Sequence, residues 1–156
     1  MSWQKQILRV DLDQGLVTKE PLNMEWAEQY LGSRGLGSKY LSEEMDPSVD
    51  AMSPDNILIF ATGPLTGTMA STSGRYTVIT KGPLTNAIAC SNSGGKFGAE
   101  LKYAGYDLLI IKGKSEKPVY LTIKDGDASL ESADEIWGKT VWEGMSGYTN
   151  ATRSPK

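Results

Sequence analysis

Apolar residues first recur at Ile7, Leu8, Val10 and Leu12, and again at Leu16 and Val17 beyond Asp13-Gln14-Gly15. Two short apolar runs about a Gly-containing turn predict a β-hairpin over residues 6–20. Behind Asn23, a good N-cap type, Met24, Ala27, Tyr30 and Leu31 return at helical spacing, which predicts a helix over 24–31 ended by Gly32. A second helix is expected over 36–44, stopped by Pro47. "ILIFAT" (57–62) is a continuous apolar run of the buried-strand kind. "RYTVITK" (75–81) alternates as a strand, and "AIAC" (87–90) reads as a shorter one. A helix over about 96–104 would carry Phe97, Leu101 and Ala104 on one side. "YDLLIIKGK" (106–114) and "PVYLTIKDG" (118–126), joined by the polar Ser115-Glu116-Lys117, are expected to be adjacent antiparallel strands. "ADEIWG" (133–138) predicts a brief helix, and from Trp142 onward the apolar period is lost and the tail reads as frayed. Strands outnumber helices and do not alternate with them one for one, so the class expected is α+β, mostly antiparallel sheets with a few short helices. "GPLTGT" (63–68) and "GPLTNA" (82–87) are alike, a sign of two related half-units.

Composition narrows what such a fold can do. The chain has 156 residues, 39% apolar and 22% charged, which suits one domain with a real core. A net charge of −3 gives no footprint for nucleic acid or an anionic membrane. No apolar run approaches the roughly 20 residues of a membrane span. The opening "MSWQKQILRV" has no signal core, so a cytoplasmic location is expected. The single cysteine, Cys90, reads as a small apolar strand residue; it excludes an internal disulfide and any four-thiolate metal site built from this chain alone. Histidine is absent, which removes Ser-His-Asp and Cys-His catalysis. If the chain serves an enzyme, another component brings the chemistry.

Three glycine-rich segments remain as candidate binding loops. "GSRGLGSK" (32–39) lacks the Gly-Lys-Ser/Thr order of a phosphate loop and follows a helix, not a strand, so it reads as a helix C-cap and an interhelical turn. "ATGPLTGTMASTSGRY" (61–76) has one charge, Arg75. Its guanidinium can fork onto phosphate or carboxylate oxygens, and it equally fits a surface arginine opening a strand. In "CSNSGGKFGAELKYAGYD" (90–107) the residues Ser91, Ser93, Gly94, Gly95, Gly98 and Ala99 carry almost no side chain. The amide carbonyl of Asn92 suits a hard cation such as magnesium. Gly94 and Gly95 allow close approach, and the N–H groups of 93–96 can open a helix with its positive end outward. A tight turn kept small for helix–strand packing fits the same residues.

"LGSRGLGSKYLSEEMDP", "ATGPLTGTMASTSGRYTVITKGPLT", "SNSGGKFGAELKYAGYD" and "GKSEKPVYLTIKDG…WGK" fall in one order and spacing that resembles the N-terminal domain of the tungsten-containing aldehyde ferredoxin oxidoreductases, from Trp3 to about Trp142. The resemblance implies two β-sheets related by a pseudo-two-fold axis, forming a base for a bis-pterin tungsten (sometimes molybdenum) cofactor whose phosphates are linked by magnesium. By the same resemblance Arg75 matches the pterin-contacting arginine of a Gly-Arg-Tyr motif. Asn92, Ser93, Gly94 and Gly95 match Asn-Ser-Gly-Gly, with Asn92 as the magnesium ligand and Gly94 a main-chain contact to the pterin. The whole enzyme would oxidise an aldehyde to a carboxylic acid and send electrons through a [4Fe–4S] cluster to ferredoxin. The cluster cysteines and acid/base residues belong to later domains, so residues 1–156 are expected to be a cofactor-base domain, incomplete at its C-terminus, inactive alone, and partnered by the remaining domains or by further copies. The alternative is an orphan domain that self-associates and carries no cofactor. Asn86 stands where many relatives have Gly, which makes that turn a departure from the pattern.

Overall fold

The computed structural model describes residues 3–145. The opening hairpin pairs β1 (Gln6–Asp11) with β2 (Leu16–Pro21), from Gln6 opposite Pro21 to Asp11 opposite Leu16. Helix α1 (Met24–Tyr30) starts where Asn23 Oδ1 accepts the Trp26 N–H. Then follow α2 (Ser33–Glu44), β3 (Leu58–Thr62), β4 (Tyr76–Lys81), β5 (Ile88–Ser93), α3 (Phe97–Tyr103), β6 (Leu108–Lys112), β7 (Val119–Lys124) and β8 (Asp127–Ser132). Six strands form one sheet in the order β2-β1-β6-β3-β4-β5, with β1 and β6 parallel and every other pair antiparallel. β7 and β8 make a separate two-stranded sheet. The class is α+β, and its two sheets differ in size.

Alternation along the strands gives the large sheet two buried faces. Ile7, Ile59, Ala61, Ile79, Leu108 and Ile110 meet Ala27, Leu36, Tyr40 and Leu41 of the first two helices. Leu8, Val10, Leu109 and the half-buried Phe60 and Ile111 meet Leu101 of α3 and Leu121, Ile123 and Leu130 of the small sheet.

The expected pairing of 106–114 with 118–126 is not found. β6 lies between β1 and β3, with Leu109 opposite both Leu8 and Phe60. Leu108, Leu109 and Ile110 are all buried, so this strand has no solvent face and belongs inside a sheet. β7 is only half-buried and pairs β8, a strand absent from the sequence reading. The chain leaves the large sheet at Gly113, at φ +81°, where an added Cβ would lie 2.6 Å from Asp13 Oδ2. A short polar connection therefore marked a change of layer, not a hairpin.

Helix α2 begins at Ser33, so most of the segment read as an interhelical turn is helical. Its glycines serve packing: a Cβ on Gly35 would sit 2.6 Å from Tyr30 O, and one on Gly37 2.5 Å from Ile79 Cδ1. β5 runs on to Ser93, beyond the predicted 87–90. Residues 134–138 form a turn in which the Ile136 and Trp137 N–H groups both bond Ala133 O, not a helix. At Thr140 a reciprocal cap with Glu143 opens a helical turn over 141–145, so the first part of the tail expected to fray is ordered. The rest of that tail lies outside the described residues. The two "GPLT" segments are turns that follow β3 and β4 at opposite ends of the sheet. Asn86 takes φ +51°, a left-handed conformation that Asn tolerates better than most residues, so it replaces glycine at modest cost.

Candidate functional site

Antiparallel register brings the three glycine-rich segments to one end of the large sheet. Ala61 pairs Thr77 and Thr77 pairs Asn92, so the end of β3, the start of β4 and the end of β5 lie side by side. The start of α2 joins them: a Cβ on Gly32 would meet Thr62 O at 3.0 Å and Pro64 Cδ at 3.0 Å. The start of α3 closes the other side, with Gly98 placed so that a Cβ would lie 3.2 Å from Gly74 O. Thr66, buried, accepts the Gly63 N–H and donates to Arg75 O at 3.2 Å, which ties the glycine turn to the arginine. Tyr103 of α3 donates to Gly67 O at 2.9 Å.

Arg75 sits one position before β4 and two before Thr77, the spacing that shares a strand face. It is exposed, and its guanidinium makes no hydrogen bond or ion pair among the described residues. Asn92 is held differently. Its Oδ1 accepts from Thr77 Oγ1 at 2.7 Å, and Thr77 Oγ1 also lies 2.6 Å from Ser33 Oγ. Thr77 is 1% exposed, so this relay joins α2, β4 and β5 through a buried hydroxyl. Asn92 Nδ2 has no partner among the described residues. Ser93, next along the strand, belongs to the opposite face of the sheet.

The ladder fixes the main chain as well. Gly82 N–H bonds Ala87 O, and alternation from there makes Thr77–Asn92 a non-hydrogen-bonded pair. The N–H and C=O of Asn92, like those of Cys90 and Ile88, therefore point out from the free edge of β5. Beyond the strand, the N–H groups of Gly94, Gly95 and Lys96 find no partner among the described residues. The glycines of the quoted stretch divide into two kinds. Gly98 is filled by its own chain, whereas a Cβ on Gly94 or Gly95 would meet no heavy atom within 4 Å. Packing explains the first, and φ +81° explains Gly95, a conformation that few other residues adopt; for Gly94 no neighbour among the described residues accounts for the missing side chain. Arg75 and the Asn92–Gly95 segment thus lie at one end of neighbouring strands, as an open and donor-rich surface.

Better-formed clefts lie elsewhere. One of about 290 Å³ runs beside Arg9, Leu16 and Lys112, and one of about 230 Å³ lies between α3 and β7, along Phe97, Leu101 and Leu121. Arg9 bridges Glu20 and Glu44, and Glu44's hydrogen bond leads in raising the basicity of the guanidinium, against the cost of burial. Among the described residues no group of three or more His, Cys, Asp or Glu gathers to hold a metal, and no helix is long and apolar enough to cross a membrane. Thr77, Ser33 and Thr66 were not singled out from the sequence. Each is an ordinary small polar residue until the sheet register gives it a partner.

The family model described as the aldehyde ferredoxin oxidoreductase N-terminal domain matches residues 7–152. A tungsten-containing aldehyde ferredoxin oxidoreductase of Pyrococcus abyssi is 57% identical over 141 residues, which cover 90% of this chain and 23% of that protein. The WOR-like subunit of an aliphatic sulfonate oxidoreductase of Pyrococcus furiosus is 34% identical over 140 residues, 88% of this chain and 22% of the relative. Among solved structures, the active-site complex BamBC of benzoyl coenzyme A reductase, bound to 1,5-dienoyl-CoA, superposes with a TM-score of 0.94 at 36% identity. That match covers 99% of this chain and 24% of the other. The chain spans less than a quarter of the length of each of these relatives.

Proposed function

Because the chain belongs to the family of aldehyde ferredoxin oxidoreductase N-terminal domains, we propose that it is the cofactor-holding base of a tungsten or molybdenum bis-pterin oxidoreductase. The observation that carries this reading is Gly94, bare toward open space beside the unpartnered N–H groups of Gly94, Gly95 and Lys96. A phosphate-bearing ligand fits that surface: the main-chain N–H groups of Gly94, Gly95 and Lys96 donate to its oxygens, and the free Arg75 adds a charge-assisted fork. Asn92, whose main-chain carbonyl stands at the free edge, would offer that oxygen to a magnesium ion. When bound, the metal-pterin group supplies the redox chemistry; this chain's share is to bind and orient it.

In this reading the whole enzyme would oxidise an aldehyde with one water to a carboxylic acid, releasing two protons and two electrons; a [4Fe–4S] cluster would pass the electrons to ferredoxin, with its ligands and the proton-handling groups on domains other than residues 1–156. The relatives are named for aldehydes, an aliphatic sulfonate and benzoyl-CoA, although this portion is alike in all of them. A shared base with substrate selection elsewhere accounts for that. The competing reading is a cofactor-free domain that self-associates, favoured by the free edge of β5, "IACSNS", which carries no charge to repel another strand.

Anaerobic purification of the protein carrying this domain tests both. Tungsten or molybdenum with released pterin fluorescence, and aldehyde-dependent reduction of a viologen dye, are the expected results. Arg75→Ala should lower pterin retention by about tenfold, the scale of one hydrogen bond to a charged group. A metal-free, pterin-free homodimer would favour the competing reading. Dye reduction by residues 1–156 alone would overturn the assignment of the chemistry to other domains.

A further inference from the structure

We infer that the side chain of Asn92 presents its amide N–H₂ to the ligand as an anion-binding donor, locked in that orientation by Thr77 and Ser33. This inference rests on the cofactor-base reading and assigns the side chain a role opposite to that of a cation ligand. The planar amide has one oxygen and one nitrogen, and they point to different sides. Oδ1 is turned inward, 2.7 Å from the Thr77 hydroxyl that donates to it. Nδ2 is the branch left toward solvent, on an exposed residue, with both hydrogens unpartnered among the described residues.

Thr77 has one proton to give. Because it gives that proton to Asn92, the 2.6 Å contact with Ser33 runs the other way, with Ser33 donating and Thr77 accepting. Thr77 is 1% exposed and packed between α2 and β5, so no water competes for its hydroxyl. Donors stand on both sides of it: the N–H groups of Gly94, Gly95 and Lys96 and the guanidinium of Arg75 are unpartnered among the described residues, beside the outward main-chain carbonyl of Asn92. A donor amide completes an array for phosphate oxygens, whereas an outward carbonyl oxygen would face the same anion with a lone pair. Thr77 is then a positioning residue: it touches no ligand and acts through Asn92.

The order of two variants decides the matter in the whole protein, read by the rate at which bound pterin and magnesium are lost on dilution and by the melting temperature of the apo form. Asn92→Ala removes oxygen and donors together and should speed pterin loss by about tenfold, the weight of a hydrogen bond to a charged group. Asn92→Asp keeps the oxygen facing Thr77 and places a second oxygen where the donors were, so it should lose pterin faster still. Thr77→Val should speed pterin loss and Thr77→Ser should restore it, a rescue that packing alone would not produce for the smaller residue. If Asn92→Asp holds pterin and magnesium better than Asn92→Ala, the side chain is a cation ligand and the inference is overturned. If Thr77→Val retains pterin like the unsubstituted protein, the positioning role falls. A folded protein with no pterin before any substitution would overturn the underlying reading together with it.

Discussion

Glycine is the residue on which the sequence is most ambiguous, because the same missing Cβ serves a turn, a packed helix or a ligand. Neighbouring atoms separate these uses here. Gly35 lies against a main-chain oxygen, Tyr30 O, 2.6 Å from where a Cβ would stand, and backbone cannot swing away. Gly35→Ala should therefore destabilise the fold by about 1–3 kcal/mol, the overpacking scale, despite alanine's better helix propensity. Gly94→Ala has open space and should change the unfolding free energy in denaturant melts by less than about 0.5 kcal/mol, as a surface substitution does. Its effect should appear instead as faster pterin loss from the loaded protein. A stability loss at Gly94 comparable to that at Gly35 would return the bare stretch to packing. By residue type "GSRGLGSK" reads as a turn and "SNSGGKFG" fits two uses; only neighbours distant in the chain divide Gly98 from Gly94.

At the scale of elements, hydrophobic pattern located most strands and helices but not their partners. Ile110 shows both sides. It was expected to be a core strand residue and is 2% exposed, yet its neighbours are Arg9 and Ile59, not the 119–124 strand. Ile110→Ala should cost roughly 2–5 kcal/mol by the cavity it leaves, whereas Leu121→Ala, half-buried on the small sheet, should cost less. Urea melts of both variants check the order, and equal losses would mean that β7 belongs to the same core. A hairpin reading of residues 106–126 fails because both edges of β6 are taken by strands earlier in the chain, β1 and β3, which leaves none for 119–124. α2 begins earlier than the expected 36–44 for a related reason: Gly35 and Gly37 lower helix propensity locally, and the packing they permit offsets it at long range.

Across the whole molecule, charge is arranged so that the fold depends on pH and on one buried pair. Lys102 of α3 and Asp107 at the start of β6 form an ion pair with side chains 3% and 2% exposed, and Asp107 also accepts the Lys5 N–H at 2.7 Å. Lys102→Met leaves a buried carboxylate without its cation and should cost about 3–5 kcal/mol in thermal or denaturant unfolding. Asp46 accepts from the Ser48 N–H and, less strongly, its hydroxyl, which hold its carboxyl below the ordinary 3.8. A carboxylate favoured in the folded state contributes stability above its unfolded pKa and loses it as pH falls through the lower folded value. Stability should thus decline below about pH 4, and Asp46→Asn should flatten that decline when unfolding midpoints are followed against pH. An unchanged slope would show that the Ser48 contacts do not persist in solution.

What the sequence determined by itself was local and compositional. The α+β class, the opening hairpin, the Asn23 cap and the absence of histidine and of a second cysteine all follow from residue type and short spacing. The identity of the candidate segment was legible too, since Arg75 and Asn92–Gly95 stand in motifs long enough to resemble a family. Only the tertiary structure decided that β6 runs between β1 and β3, that Gly37 exists for Ile79, and that Thr77 turns the Asn92 oxygen inward. Each depends on contacts between residues far apart in the chain, where side-chain pattern states how much must be buried but not against what. Asn92 is the plainest case: its type offers an oxygen and a nitrogen alike, and only the pairing of β4 with β5 brings the Thr77 hydroxyl to its oxygen.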